Sequence, residues 1–194
     1  SRAGGPVTLL AVLMDRTPGR REGRDFSHTR YKATLTVDRA EPDVVADATA
    51  ALHGRLERLK EIHGAAGPWA FVGCRIGERA LKDLGLPRHS FPLMVVHHCP
   101  AQVQYSCIAD GVQAATGASP GKLNLVVKES TLEGLKTVVE DRKTGRRLTF
   151  VLRPGFIESI RDVPYERFDA EVRRIAGLSD DAIFTVSKSD GEAK

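Results

Sequence analysis

The chain has 194 residues, of which 41% are hydrophobic and 28% charged, and 29 Lys and Arg residues against 25 Asp and Glu give a net charge of +4. This length and composition are ordinary for one well-cored domain. Basic residues are scattered and aromatic residues are only 6% of the chain, whereas nucleic-acid binders typically combine a basic stripe with stacking aromatics. No apolar run is long enough to span a bilayer. We therefore expect a cytoplasmic protein with neither a nucleic-acid nor a membrane partner, and the start at Ser1 leaves a removed leader peptide open.

The cysteine count indicates free thiols rather than a disulfide framework. Cys74, Cys99 and Cys107 are an odd number and too few to staple a small fold. A reducing compartment with one or more functional thiols fits this count better than an oxidising one.

The first third of the chain is expected to be an extension. Residues 1–60 would form two strands, Val7–Met14 and Arg30–Val37, and then a helix from Glu41 to about Leu59, all packed on the core. Proline and acidic residues at the start of that helix are typical of a helix N-terminus.

Residues 61–187 are expected to form the main domain, with 188–194 as a disordered tail. A Gly-rich break comes first, and the elements after it are predicted at Pro68–Leu84 (helix), Phe91–His98 (strand), Cys107–Ala115 (helix), Leu123–Glu129, Lys136–Asp141 and Arg146–Leu152 (strands), Tyr165–Ala176 (helix) and Ala182–Val186 (strand). This order predicts an α+β fold with an α-β-α-β-β-β core, a mixed sheet and helices on one face. The helix at Pro68–Leu84 begins apolar nearly all round, which is typical of a buried helix or of an oligomer interface.

The segment from Cys107 to Asn124 carries the densest set of reactive side chains. Asp110 and Gln113 follow Cys107 by three and six positions, so the three share roughly one helical face. A cysteine at a helix N-terminus has a lowered pKa, because the helix dipole favours the thiolate. We therefore take Cys107 and Asp110 as the candidate catalytic residues.

The same segment supplies candidates for ligand binding. Gln113, Thr116 and Lys122 could shape a pocket or hold an anion, although the loop chemistry alone favours a helix cap and a tight turn. Histidines at 63, 97 and 98 could join Cys107 in a metal site, since zinc accepts these ligand types. No CxxC or HExxH spacing is present, and each histidine taken alone is better interpreted as structural.

Two motifs resemble the E-subunit family of formylmethanofuran dehydrogenase. The segment Cys107–Asn124 reads C-x-x-D-G-x-Q-x-x-T-G-A-x-x-G-K-x-N, which is similar to a long and specific family signature. The segment His63–Pro68, H-G-A-A-G-P, resembles the shorter family opening His-Gly-His-Leu-(Cys/Gly)-Pro. The resemblance covers about His63 to Leu152.

The resemblance implies a fold and a cofactor. The implied domain is of the α-β-α-β-β-β kind, compared with the catalytic domain of glyceraldehyde-3-phosphate dehydrogenase. It also implies a divalent metal, commonly zinc, with His63 and Cys107 as the inherited ligands. Ala65 stands where the family usually has a second histidine, so His98, or else His97 or Cys99, would have to substitute. The family's C-terminal zinc ribbon is absent.

Three functions follow as expectations. The first is a small metal- or thiol-dependent protein of this family that acts on or carries a small ligand in one-carbon or redox metabolism. The second is a non-catalytic accessory protein that uses the apolar helix Pro68–Leu84 to form a homodimer or to dock on a larger redox enzyme. The third is a metal-free Cys/His enzyme.

Overall fold

The computed structural model describes residues 42–190, and side chains from residue 49 onward. The two strands predicted at 7–14 and 30–37 lie outside the described residues. The chain divides into two compact units, residues 1–46 and 47–194, and the description below concerns the second. No helix within residues 42–190 is long and apolar enough to cross a membrane.

Six helices and five strands make up the described part of the chain. In order they are α1 (Pro42–His63), α2 (Pro68–Leu84), β1 (Leu93–Cys99), α3 (Val103–Thr116), β2 (Leu125–Glu129), β3 (Lys136–Asp141), β4 (Arg147–Leu152), α4 (Pro154–Ile160), α5 (Phe168–Ala176), α6 (Asp180–Ile183) and β5 (Phe184–Ser189). Short 3₁₀ turns lie at Pro120–Lys122 and Tyr165–Arg167. The stretch from α2 to β4 has the predicted α-β-α-β-β-β order.

The strands form one mixed sheet in the order β2-β1-β3-β4-β5. Strands β1 and β2 are parallel and are joined through α3, while the other neighbours are antiparallel. Val95 on β1 lies opposite Leu125 on β2 and Val139 on β3, and all three side chains are buried. The predicted α+β fold with a mixed sheet is therefore confirmed.

Helices α2 and α3 pack against each other at backbone distance. A Cβ added at Gly111 of α3 would overlap the carbonyl oxygen of Ala70, and one added at Gly73 of α2 would overlap that of Ile108. Glycine at both positions allows the two backbones to touch where any side chain would hold them apart. The aromatic rings of Trp69 and Tyr105 meet edge to face nearby, with centroids 5.0 Å apart.

This packing corrects the expectation that α2 serves as a dimer or docking surface. Eleven of its seventeen residues are buried inside the chain, including its whole apolar beginning from Pro68 to Cys74. Because α3 and the sheet already cover those side chains, the apolar beginning of α2 is core.

The ends of two helices differ from the prediction. Helix α1 continues one turn beyond Leu59 and ends at His63, where Gly64 adopts a left-handed φ of 81°. Helix α3 begins at Val103 rather than Cys107, because Tyr105 in its first turn packs on Trp69 and extends the helix toward its N-terminus. Cys107 therefore lies in the second turn of α3.

The end of the chain also differs. Helix α4 was not predicted, although Pro154 begins it and Phe156 and Ile160, four residues apart, are buried. Strand β5 includes Lys188, which the sequence analysis placed in a tail and whose Nζ lies 3.1 Å from a carboxylate oxygen of Asp83.

His97 joins the sheet to α3 from a fully buried position on β1. Its Nε2 lies 3.0 Å from the carbonyl oxygen of Tyr105 and donates to it, so Nδ1 accepts from the hydroxyl of Thr137 at 2.9 Å. Burial lowers the pKa of His97 from 6.5 to about 4, and the Tyr105 carbonyl partly opposes this shift. The neutral imidazole is a structural link, as the sequence analysis preferred for a lone histidine.

The α2–α3 contact predicts a large effect of adding one methyl group. Gly111→Ala should lower the free energy of unfolding by about 3 kcal/mol, since the new Cβ must push two backbones apart. Chemical denaturation measures the change. Gly155→Ala in α4 is the matched control, because no atom lies within 4 Å of its added Cβ. Equal effects of the two substitutions would refute the close-packing account.

The buried His97 predicts a pH dependence of stability. Its folded pKa lies below its unfolded value, so its contribution is fully present above pH 6.5 and is lost as the pH falls toward about 4. The loss amounts to about 3 kcal/mol. Denaturation at a series of pH values should show a shallower slope over this window for His97→Gln than for wild type. His53→Gln, an exposed change on α1, should keep the wild-type slope; a wild-type slope in His97→Gln would contradict the prediction.

Candidate functional site

A histidine–carboxylate pair joins the end of α1 to the middle of α3. Nδ1 of His63 lies 2.7 Å from Oδ2 of Asp110, across 47 residues of sequence. A carboxylate can only accept, so the imidazole donates from Nδ1. Nε2 has no hydrogen bond to the described residues, and the two side chains are 22% and 42% exposed. The pair is therefore open to a ligand from solvent.

The local sequence explains why these two side chains meet. Helix α1 runs one turn past its predicted end and places His63 at its last position, before the left-handed Gly64. Asp110 directly precedes Gly111, the residue at which α3 touches the backbone of α2. The close helix contact thus fixes the segment of α3 that carries the carboxylate.

Cys107 is half-buried on the same face of α3 as Asp110. Burial raises the pKa of its thiol, and the Asp110 carboxylate raises it further. This corrects the expectation of a helix-activated thiolate, because the thiol is in the second turn of α3 and faces a negative charge. The free protein holds Cys107 as a thiol.

The structure places His98 apart from this group. Side chains along β1 alternate, so Leu93, Val95, His97 and Cys99 are buried while His98 points to the opposite face of the sheet. Burial lowers the pKa of His98, and Lys136 and Lys128 lower it further. The predicted substitution of His98 for the missing family histidine does not bring it to Cys107, since α3 packs on the other face.

The three predicted ligand-binding residues have different surroundings. Gln113 is half-buried on α3, and its side chain makes no hydrogen bond within the described residues. Thr116 is fully buried; its hydroxyl donates to the carbonyl of Val112 and accepts from the N–H of Ala118. Lys122 is half-buried in the turn after α3, and its ammonium likewise has no ion pair there. Thr116 is therefore a helix cap, because both functions of its hydroxyl are used inside the fold.

Asn124, the last residue of the C-x-x-D signature, received no role from the sequence. It is buried, and its Oδ1 accepts from the N–H of Ser119 at 2.9 Å, which closes the loop between α3 and β2. Its Nδ2 has no partner among the described residues. Fixed spacing from Ser119 was the available signal for this loop-closing role.

The donor set does not assemble a complete zinc site. Within residues 42–190, no group of three or more His, Cys, Asp or Glu side chains is arranged to hold a metal ion, whereas zinc sites use three or four protein ligands. The predicted set of His63, Cys107 and His98 is divided between the two faces of the sheet. A metal at this position would have His63 and Cys107 as its expected ligands and would need further donors.

Fold and site together define a class: an α+β domain with a helix–strand–helix–strand–strand–strand core that carries a His–Asp pair next to a thiol. The chain belongs to the FmdE family, described as FmdE, Molybdenum formylmethanofuran dehydrogenase operon, whose model matches residues 62–185. The match includes His63, Cys107 and Asp110.

One solved structure is similar in outline. It is an FmdE-like protein of tungsten formylmethanofuran dehydrogenase from Syntrophus aciditrophicus, 21% identical, with 72% of each chain covered and a TM-score of 0.45. No curated protein matches the sequence.

The environment of Cys107 predicts slow alkylation. At neutral pH, iodoacetamide should modify Cys107 more slowly than a free cysteine, since the thiolate fraction is small. Asp110→Asn should raise this rate about twofold to fivefold by removing a negative charge. Mass spectrometry of quenched samples measures the rate at Cys107, with buried Cys74 and Cys99 as unreactive internal references.

His63→Ala is the matched control for that experiment. It removes the hydrogen bond of Asp110 but keeps the carboxylate near the thiol. Its alkylation rate should stay close to that of wild type. An acceleration as large as that of Asp110→Asn would show that exposure, not charge, governs the thiol.

Proposed function

We propose that this chain binds and acts on, or carries, a small ligand of one-carbon or redox metabolism at a centre formed by His63, Asp110 and Cys107. The observation that carries the proposal is the 2.7 Å hydrogen bond between Nδ1 of His63 and Oδ2 of Asp110. It supports the proposal because it fixes the tautomer and leaves the Nε2 lone pair directed at a ligand.

The pair is suited to move a proton. Nε2 of His63 can accept a proton from a bound hydroxyl, amine or thiol, and the Asp110 carboxylate then stabilises the imidazolium that forms. Cys107 lies beside this carboxylate, so its thiol is close to the group that would take its proton. In this account His63 is the general base, Asp110 orients it, and Cys107 is a nucleophile or a ligand contact.

A second candidate uses the same residues to hold a metal. A carboxylate that accepts from one imidazole nitrogen, while the other nitrogen is free, is the arrangement that orients metal-binding histidines in proteins. His63 and Cys107 would then be ligands, and zinc would polarise a bound small molecule. The remaining donors would come from the ligand or solvent.

An accessory role remains a further proposal, but it loses its expected surface. The apolar residues of α2 are buried by α3 and the sheet, so a homodimer or a contact with a larger redox enzyme would use other residues. Sizing chromatography of the purified chain measures this: a strict monomer would remove the dimer.

The central prediction concerns ligand capture at the pair. Isotope-labelled protein is titrated separately with Zn²⁺ and with formate, a one-carbon carboxylate. At least one probe should saturate and shift the signals of His63, Asp110 and Cys107. His63→Gln and Asp110→Asn should each weaken that binding roughly tenfold or more, since one removes the contacting nitrogen and the other its orienting partner.

The variants separate the two candidates. His53→Gln, an exposed histidine change on α1, should bind like wild type. Saturation by Zn²⁺ that is lost in Cys107→Ser supports the metal candidate, and saturation by formate alone supports the metal-free one. Failure of both probes to saturate at millimolar concentration would refute the proposed centre.

A further inference from the structure

A charged cleft lies on the side of α2 that faces away from the proposed centre. It encloses about 390 Å³, and its charged lining comes from α1, α2 and α6: Arg55, Arg75, Glu78, Arg79, Lys82 and Asp180. Arg75 and Arg79 each follow by two residues a glycine that contacts α3, Gly73 and Gly77. Two residues are about 200° around a helix, so the cleft and the α3 contact lie on nearly opposite sides of α2.

Part of this charge is used to hold the fold together. The guanidinium of Arg75 donates to the carbonyls of Ile175 and Leu178, at 2.8 and 2.9 Å, and to a carboxylate oxygen of Asp180 at 2.7 Å. It closes the end of α5 and the start of α6 against α2. Arg75 is therefore a structural residue of the cleft wall.

The other cations are less committed. Arg79 donates from Nε to Asp83 at 3.0 Å and from Nη1 to Asp180 at 2.9 Å, which leaves Nη2 without a partner in the described chain. Nε of Arg55 lies 2.7 Å from Glu78, and both side chains are about one-third exposed. Lys82 is exposed and forms no ion pair with any residue that the structure describes.

The lining carries more positive than negative charge. Four cations line the cleft against two carboxylates, an excess of two charges. Asp83 beside the cleft does not remove the excess, since Lys188 contacts its second oxygen at 3.1 Å. A concave surface with an uncompensated charge of one sign concentrates the opposite ion.

We propose that this cleft, the arginine cleft, binds the phosphate group of a small phosphorylated compound. A phosphate monoester carries between one and a half and two negative charges at neutral pH, which matches the excess. Guanidinium groups bind phosphate oxygens in pairs, and an unpaired lysine adds a mobile point charge. The cleft volume is within the range of small-molecule sites, roughly 300–1,000 Å³. Arg55, Arg79 and Lys82 are the contacting residues.

The test titrates the full chain with inorganic pyrophosphate, followed by calorimetry and by NMR of labelled protein. Binding should saturate and shift signals of α2 and of α1 near Arg55. Lys82→Gln, which breaks no ion pair, should weaken it about threefold, and Arg55→Gln with Lys82→Gln about tenfold. Lys128→Gln, an exposed change on β2, should leave binding within about twofold of wild type, because solvent screens distant charges.

Several outcomes would overturn the arginine cleft. They are no saturation at millimolar pyrophosphate, equal binding by the double variant, tighter binding of citrate, which would exclude phosphate as the class, and shifts confined to His63 and Asp110. Thermal unfolding checks that each variant folds, and Arg55→Lys should retain most of the affinity. The proposed centre stands or falls independently, since its variants lie on the other side of α2.

Discussion

The contact between the backbones of α2 and α3 is the constraint on which the other features depend. Gly73 and Gly111 let the two helices touch, and any side chain at either position would separate them. That contact fixes the height of α3 above the sheet, and with it Tyr105, whose carbonyl accepts from the buried His97. It also fixes Asp110, one residue before Gly111. The position of the reactive carboxylate is a consequence of core packing.

Much of the fold could be predicted from sequence, because its signals are local. Pro68 and Gly85 bound α2 as predicted, and the Thr-Gly turn sets β3 and β4 to within one residue. The missed features depend on tertiary contacts. The early start of α3 needs the packing of Tyr105 on Trp69, which no propensity encodes. Helix α4 is short, and its burial against the core gives most of its stability.

The candidate site was predictable in its residues but not in its pairing. Helical spacing places Cys107 and Asp110 on one face, and this holds. The partner of His63 is set by where α1 ends, one turn beyond the predicted stop, and the bond forms to Asp110. The thiol pKa moves opposite to the expected direction for the same reason, since a shift of four residues in the start of α3 takes Cys107 away from the helix N-terminus.

Surroundings separate the histidines into different roles, although the sequence presents them alike. His97 has both ring nitrogens occupied and is buried, so its proton is committed to the fold. His98, its neighbour, faces the other side of the sheet near two lysines. His63 alone among these three combines a carboxylate on Nδ1 with a free Nε2. A histidine that is both oriented and accessible can exchange a proton or bind a ligand without loss of core structure, which is why the reactive role falls to the helix end rather than to the strand.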